Sequence, residues 1–325
     1  MYPSDAVAID TIDFLEDEKN LPPGGFLQAE PEDFRPRRQA ANFLEAAAAV
    51  RDAKMDLLMV GDRHAVSINA FSPIPLIARL MGVTGELPLA CLFLAPFYNP
   101  IVLAEQIGTL SVLSSGPFTA AFAIGDTEAQ FAAFNMALKS RTVRTDEVIE
   151  IVRRLLAGEK VSFDGRYHRL VDVSIGPLPD TPVPIWVGGR RGGAVDRAGK
   201  LGDAWISDTR ATDEELAGEL AHYRRVADEF GRPVKAVLRR NIFVGETDAD
   251  ADNVVSRILQ SSYRGLTPER VLSGGPDRVA EELLRYEAMG FDLAIVRHLA
   301  GDHDLMLSSV RRIGDAVMPL LGRHG

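Results

Sequence analysis

Residues 182–205, PVPIWVGGRRGGAVDRAGKLGDAW, combine an apolar strand-like burst, paired glycines, two arginines and a second glycine pair leading into a helix that stops at Gly202. A strand that empties through glycines onto a helix start points unpaired backbone N–H groups and the positive end of the helix dipole at one spot. Arg190 and Arg191 add forked cationic donors there. The chemistry this arrangement serves is anion binding, and it predicts a phosphate seat on Gly188, Gly189, Arg190, Arg191 and Gly192. The plain alternative is that the glycines only shape a tight strand-to-helix turn.

The elements that must position this seat follow a regular order. Apolar strand runs occur at 6–14, 56–60, 88–95, 117–124, 183–187, 203–207, 236–244 and 291–298, each followed by a helical pattern. Thr212 with Glu215, and Thr247 with Asp250, start two helices as capping pairs; Gly231 stops the first of these and Gly290 a third. Strands alternating with helices, and apolar throughout, predict an α/β fold with a parallel sheet covered on its outer face. Eight such units predict a closed (β/α)8 barrel spanning 1–325 as one domain. VSFDGRYHRL reads as a small hairpin within an insertion at about 158–182, before the fifth strand.

Composition narrows the functional class. The 325 residues are 46% hydrophobic and 25% charged with a net charge of −10, and the basic residues are scattered, which argues against nucleic acid and anionic membranes as partners. The N-terminal segment has no basic and apolar leader pattern and no apolar run is long enough for a membrane span, so a cytoplasmic protein is expected. The single cysteine, Cys91, lies in an apolar strand and suits a reducing compartment. No metal-ligand cluster stands out, so no metal is expected.

Six segments in order then resemble the bacterial luciferase-like superfamily of flavin- and deazaflavin-dependent oxidoreductases. They are VGDRH, PFYNPIVLAEQIGTLSVLSSG, EAQFAAF, RTVRTDEVIEIVRRLLAGEKVSFDGRYHRL, PVPIWVGGRRGGAVDRAGKLGDAW and GGPDRVAEELLRYEAMGFD. The resemblance implies a TIM barrel whose phosphate seat falls on the turn already described. It implies a non-prolyl cis peptide near Ala90-Cys91 pressing on the cofactor ring; an ordinary strand with an inert thiol is the alternative. It places Arg63 and His64 at the reactive edge, with Asp62 among the cofactor contacts and Arg63 where relatives commonly carry a histidine; a loop or second-layer role is the alternative for His64. It matches Asp126 to an acidic proton donor of deazaflavin-dependent relatives, with a helix N-cap as its other reading, and puts Gly125 beside the cofactor. Ala121-Phe122-Ala123-Ile124 replaces the small residues usual there, and a bulky side chain at an inward position, from Phe122 to Ile124, is expected to crowd the ring.

Further strand-end candidates are Asp13, Ser207, Asp208, Glu246, Arg297 and His298, and Arg141 and Arg144 match a basic helical pair. Three functions follow from the resemblance. The first is a monooxygenase using reduced FMN and oxygen on a small organic substrate, with a flavin reductase as partner. The second is hydride transfer with the deazaflavin coenzyme F-420, and the third a non-catalytic flavin-binding barrel. Resemblance also implies a homodimer. Loops 15–36, 64–72 and 264–275 are expected to select the substrate.

Overall fold

The computed structural model describes residues 6–10, 36–65, 70–260, 266–299 and 302–322. Segment 15–35, Asp13 and much of loop 64–72 lie outside the described residues. Strand β1 (Ala6–Asp10) is followed by α1 (Pro36–Asp52), β2 (Leu57–Val60) by α2 (Pro73–Thr84), and β3 (Leu89–Leu94) by α3 (Pro100–Leu113). β4 (Phe118–Ala123) precedes α4 (Glu128–Ala133) and α5 (Arg141–Leu156), and the antiparallel hairpin of β5 (Val161–Asp164) and β6 (Arg169–Val173) comes next. The chain continues through β7 (Ile185–Gly188), α6 (Gly192–Leu201), β8 (Ala204–Ile206), α7 (Asp213–Glu229), β9 (Ala236–Val244) and α8 (Asp248–Gln260). It closes with β10 (Val271–Gly274), α9 (Pro276–Met289), β11 (Leu293–His298), α10 (His303–Arg312) and α11 (Met318–Leu320).

The ring runs β1-β2-β3-β4-β7-β8-β9-β11 and back to β1, with every pairing parallel, so the expected barrel with its hairpin insertion is the fold. One strand was not anticipated. β10 falls inside the stretch 264–275 read as a loop, and pairs Val271–Gly274 with Asn241–Val244. β8 pairs at Ala236 and Val237 on that same edge of β9, so the long strand is shared below by the ring and above by β10.

Alternation along each strand sends side chains to two separate cores. Leu57, Met59, Ala90, Ala121, Trp186, Ala204, Ile206, Val237, Leu293 and Ile295 fill the barrel interior. Their neighbours, such as Leu58, Cys91, Phe93, Phe122 and Val187, join helix residues such as Ile77, Ile107 and Val152 in the layer between sheet and helices. Helix starts are fixed locally: Asn99 accepts from Ile101 and Val102, and Thr212 with Glu215 forms the expected reciprocal box at α7.

The hairpin is tied to α5 by one carboxylate. Glu147 accepts from the N–H groups of Arg166, Tyr167 and His168 at 2.6, 3.0 and 3.0 Å and lies 2.9 Å from His168 Nδ1. Burial opposes its ionisation, and these hydrogen bonds override it and hold the carboxyl below its ordinary value. A lowered folded value means that the attachment is at full strength above the unfolded value of about 4.3 and weakens as pH falls through the folded one. Glu147→Gln is expected to destabilise the protein by about 1–3 kcal/mol. Hydrogen exchange at residues 165–168 should accelerate in that variant near neutral pH, and in the unaltered protein only below about pH 4.

Candidate active site at the barrel mouth

β2 runs out through Gly61, and the next side chain, Asp62, is wholly buried. Its Oδ2 accepts from the Leu94 N–H and the Tyr98 hydroxyl, both at 2.9 Å, which ties the end of β2 to the end of β3. His64 Nε2 lies 3.0 Å from the same oxygen. A carboxylate only accepts, so Nε2 carries the hydrogen and Nδ1 keeps the lone pair. The imidazole is held edge-on by Phe97, Tyr98 and Phe134 at 5.5, 5.4 and 5.6 Å between centroids, while Gln130 donates to its backbone carbonyl at 2.8 Å. With 22% of its side chain exposed, His64 is an oriented imidazole that still reaches solvent. Asp62 therefore orients His64, where the sequence had placed it among cofactor contacts. Burial first, then the Asp62 charge, push the Tyr98 hydroxyl well above its usual range, so Tyr98 is a hydrogen-bond donor and not an acid here. Arg63 is partly buried between them in the chain.

Two expectations at β3 and β4 need correction. Ala90 and Cys91 hold regular register between β2 and β4, and the cis peptide among the described residues is Gly176-Pro177. Ala90 faces the interior, whereas Cys91 is fully buried in the sheet–helix layer, where burial raises its thiol pKa. Cys91 is thus turned away from the barrel interior. Phe122 also points outward, 6.0 Å from Phe93, because strand parity gives the interior position to Ala121. The fourth strand presents a small side chain inward at Ala121, so the crowding expected from Phe122 does not arise.

Gly125 turns the chain with φ +67°. Asp126 is exposed and is not the helix cap: Thr127 occupies that position, its hydroxyl 3.3 Å from Asp126 Oδ1. Across the mouth, burial works against ionising Asp208, and Arg210 overrides it through three hydrogen bonds of 2.8–3.0 Å. Hydrogen bonding to Asp208 is the main cause of the raised pKa of Arg210, and the charge of Asp126 adds to it.

The turn after β7 is anchored at Gly189, whose N–H donates to Ile206 and whose carbonyl accepts from Trp205 Nε1. Gly189 packs on α6 so closely that a Cβ would lie 2.5 Å from the Ala194 Cβ. Arg191 has φ 63°, and a Cβ on Gly192 or Gly193 would meet nothing within 4 Å, so the helix start is open on that side. Two glutamates of α7 already face the turn. Glu215 bonds Arg190 Nη2 at 2.6 and 2.7 Å and Arg191 Nη2 at 2.9 Å, and Glu219 Oε1 accepts the Arg191 N–H at 2.9 Å. The Thr212 N–H, then Arg191 and Arg190, hold Glu215 at about 2. An open helix start with two guanidinium groups fits a phosphate, with Glu219 competing for one donor. Nothing in the strand-to-helix motif announced Glu219; Glu215 was legible only as a capping residue.

The remaining candidates divide. Ser207 Oγ accepts the Arg239 N–H at 2.9 Å, and Arg297 Nε donates to Asn241 Oδ1 at 2.7 Å, both residues buried toward the interior on β11 and β9. His298 packs 5.6 Å from Phe243, and Glu246 meets Arg312 at 3.5 Å. Arg144 stacks on Tyr167 at 4.1 Å and bonds Ser140, which gives it a structural role in fixing the hairpin; Arg141 is partly buried. Among the described residues no acidic, histidine or cysteine group could hold a metal ion, and no helix is long and apolar enough to cross a membrane.

An F-420-dependent glucose-6-phosphate dehydrogenase of Mycobacterium avium is 30% identical over 199 residues, 58% of each chain. One of Kribbella flavida is 24% identical over 335 residues, covering 92% of this chain and 98% of its own. The first two such relatives are thus matched over 58% and 54% of their length. Among solved structures, a monooxygenase from Streptomyces bottropensis superposes with a TM-score of 0.82 at 18% identity over 97% of this chain and 99% of its own. An F-420-dependent secondary alcohol dehydrogenase gives 0.78 at 16% identity over 99% of both. These structures are similar in fold. The luciferase-like monooxygenase profile matches residues 23–271, and the chain belongs to that family.

Proposed function

We propose that the chain is a deazaflavin-dependent oxidoreductase that transfers a hydride between coenzyme F-420 and a small hydroxyl-bearing substrate. The observation that carries this reading is the relative from Kribbella flavida, F-420-dependent and aligned over nearly the whole of both chains. It reverses the order suggested by the resemblance alone, in which reduced FMN and oxygen stood first. When bound, the deazaflavin supplies a two-electron hydride acceptor and donor. Oxidising a hydroxyl also releases a proton, and His64 Nδ1, the ring nitrogen not engaged by Asp62, is the group that takes it. Asp126, exposed at the same mouth, is the second group able to exchange a proton there. Ala90 and Ala121 leave room on the inner wall, and the turn at Gly188–Gly192 holds the phosphoryl group.

Anaerobic titration of the purified protein with F-420 and with FMN tests the reading. F-420 is expected to bind at least tenfold more tightly, a preference of about 1.4 kcal/mol. Tighter FMN binding, with substrate turnover that consumes oxygen, would replace it by the monooxygenase.

A further inference from the structure

The two glutamates facing the strand-to-helix turn are not equivalent. Glu215 is a clamp whose oxygens are both spent, on Arg190, Arg191 and the Thr212 N–H. Glu219, only 9% exposed, spends one oxygen on the Arg191 N–H and buries the other, Oε2, without a hydrogen-bond partner among the described residues. A buried carboxylate oxygen without a donor is costly, whereas the same oxygen as part of a carboxylic acid carries a proton and becomes a donor itself.

The charges around Glu219 bear on which form it takes. Arg190 and Arg191 face it from the turn, Glu215 from one helical turn earlier on α7, and Asp208 from the end of β8. On α6, Asp196 is held by His222 at 2.6 Å and Arg197 by Asp146, so neither is committed to the turn. Burial is the main cause that raises the Glu219 pKa; Glu215 and Asp208 act in the same direction, against the Arg191 N–H and Arg190. A phosphoryl anion at the open helix start adds a further negative charge beside it, and two anions sharing one set of donors favour protonation of the weaker acid.

We propose that Glu219 couples binding of the cofactor's phosphoryl group at this turn to uptake of one proton, the neutral acid releasing the Arg191 N–H to a phosphoryl oxygen. No bond is broken: the proton comes from solvent, and the phosphoryl group takes up donors that Glu219 gives back. The inference rests on the cofactor reading above and adds to it a named residue and a pH law. Affinity is highest where Glu219 is already protonated. It falls as pH rises above that point, by up to tenfold per unit for one linked proton.

Calorimetric titration of the full chain with F-420, and in parallel with FMN, between pH 5.5 and 8.5 in buffers of low and high ionisation enthalpy, measures the proton directly. The unaltered protein is expected to take up close to one proton per cofactor at the alkaline end, with Kd rising with pH. Glu219→Gln keeps the shape and a permanent donor, so it should abolish the uptake, flatten the pH dependence and bind at least tenfold more tightly at pH 8. The phosphate monoester of FMN titrates near pH 6 on its own account, and the difference between the two proteins removes that contribution. Binding without proton uptake by the unaltered protein would overturn the inference and leave the cofactor reading intact; so would uptake that persists in the glutamine variant. No binding of either cofactor at any pH would overturn both. Should the variant fail to fold, seen as loss of its circular dichroism and melting transition, the proton count of the unaltered protein decides alone.

Discussion

His64→Asn is expected to lower turnover by about 10²–10⁴-fold while leaving cofactor affinity within a few-fold of its starting value. The asymmetry is the informative part. His64 is positioned by Asp62 Oδ2 and by three aromatic edges, so its replacement removes a proton acceptor and disturbs little else. Asp62→Ala should behave differently, because Asp62 also accepts from the Leu94 N–H and the Tyr98 hydroxyl. Stranding those two donors is expected to cost about 2–5 kcal/mol of stability, visible as a lower denaturant midpoint, in addition to lost turnover from a misaligned imidazole. Full activity in the asparagine variant would remove His64 from the chemistry and move the proton to Asp126.

Gly189→Ala is expected to weaken cofactor binding by about 100-fold, since displacements near 1 Å at a binding element have effects of that order. The added Cβ would lie 2.5 Å from the Cβ of Ala194, and neither partner is the far end of a flexible side chain. The turn and the start of α6 must separate, and the Arg191 N–H moves with them. Gly193→Ala is the control: its Cβ meets nothing within 4 Å, so it should change affinity far less unless the phosphoryl group itself fills that space. Equal effects at the two positions, read by the same titration, would show that contact with the cofactor and not packing of the turn sets the affinity.

The barrel was legible because parallel strands covered on both faces leave apolar runs, and the helices between them carry their own caps, as at Asn99 and Thr212. The same property hid the orientation of Phe122. In FTAAFA only Thr119 is polar, which is too little for alternation to mark inside and outside, and only pairing with β3 and β7 assigns it. β10 escaped because Val271–Gly274 is four residues ending in glycine, too short for a period. The phosphate turn could be read locally, since its glycines and arginines are contiguous. Its counter-charges could not: Glu219 reaches Arg191 across the packing of α6 on α7, a relation that exists only once both helices are in place. Tyr98 on Asp62 is a similar case, with two loops meeting at the ends of adjacent strands.

The ring is sealed by Ala6–Asp10 lying beside Leu293–Arg297, the first strand against the last. Nearly the whole chain must therefore be available before that seam can form, and the loop it closes is among the longest the sequence allows. Such non-local pairing is slow, and an intermediate that lacks β11 carries two strand edges with unpaired backbone groups, one on β1 and one on β9. During synthesis the mouth residues on β2, β3 and β4 are made long before the wall that completes them. A chain stopped short of β11 would hold its phosphate turn and its Asp62–His64 pair but would remain an open, association-prone sheet.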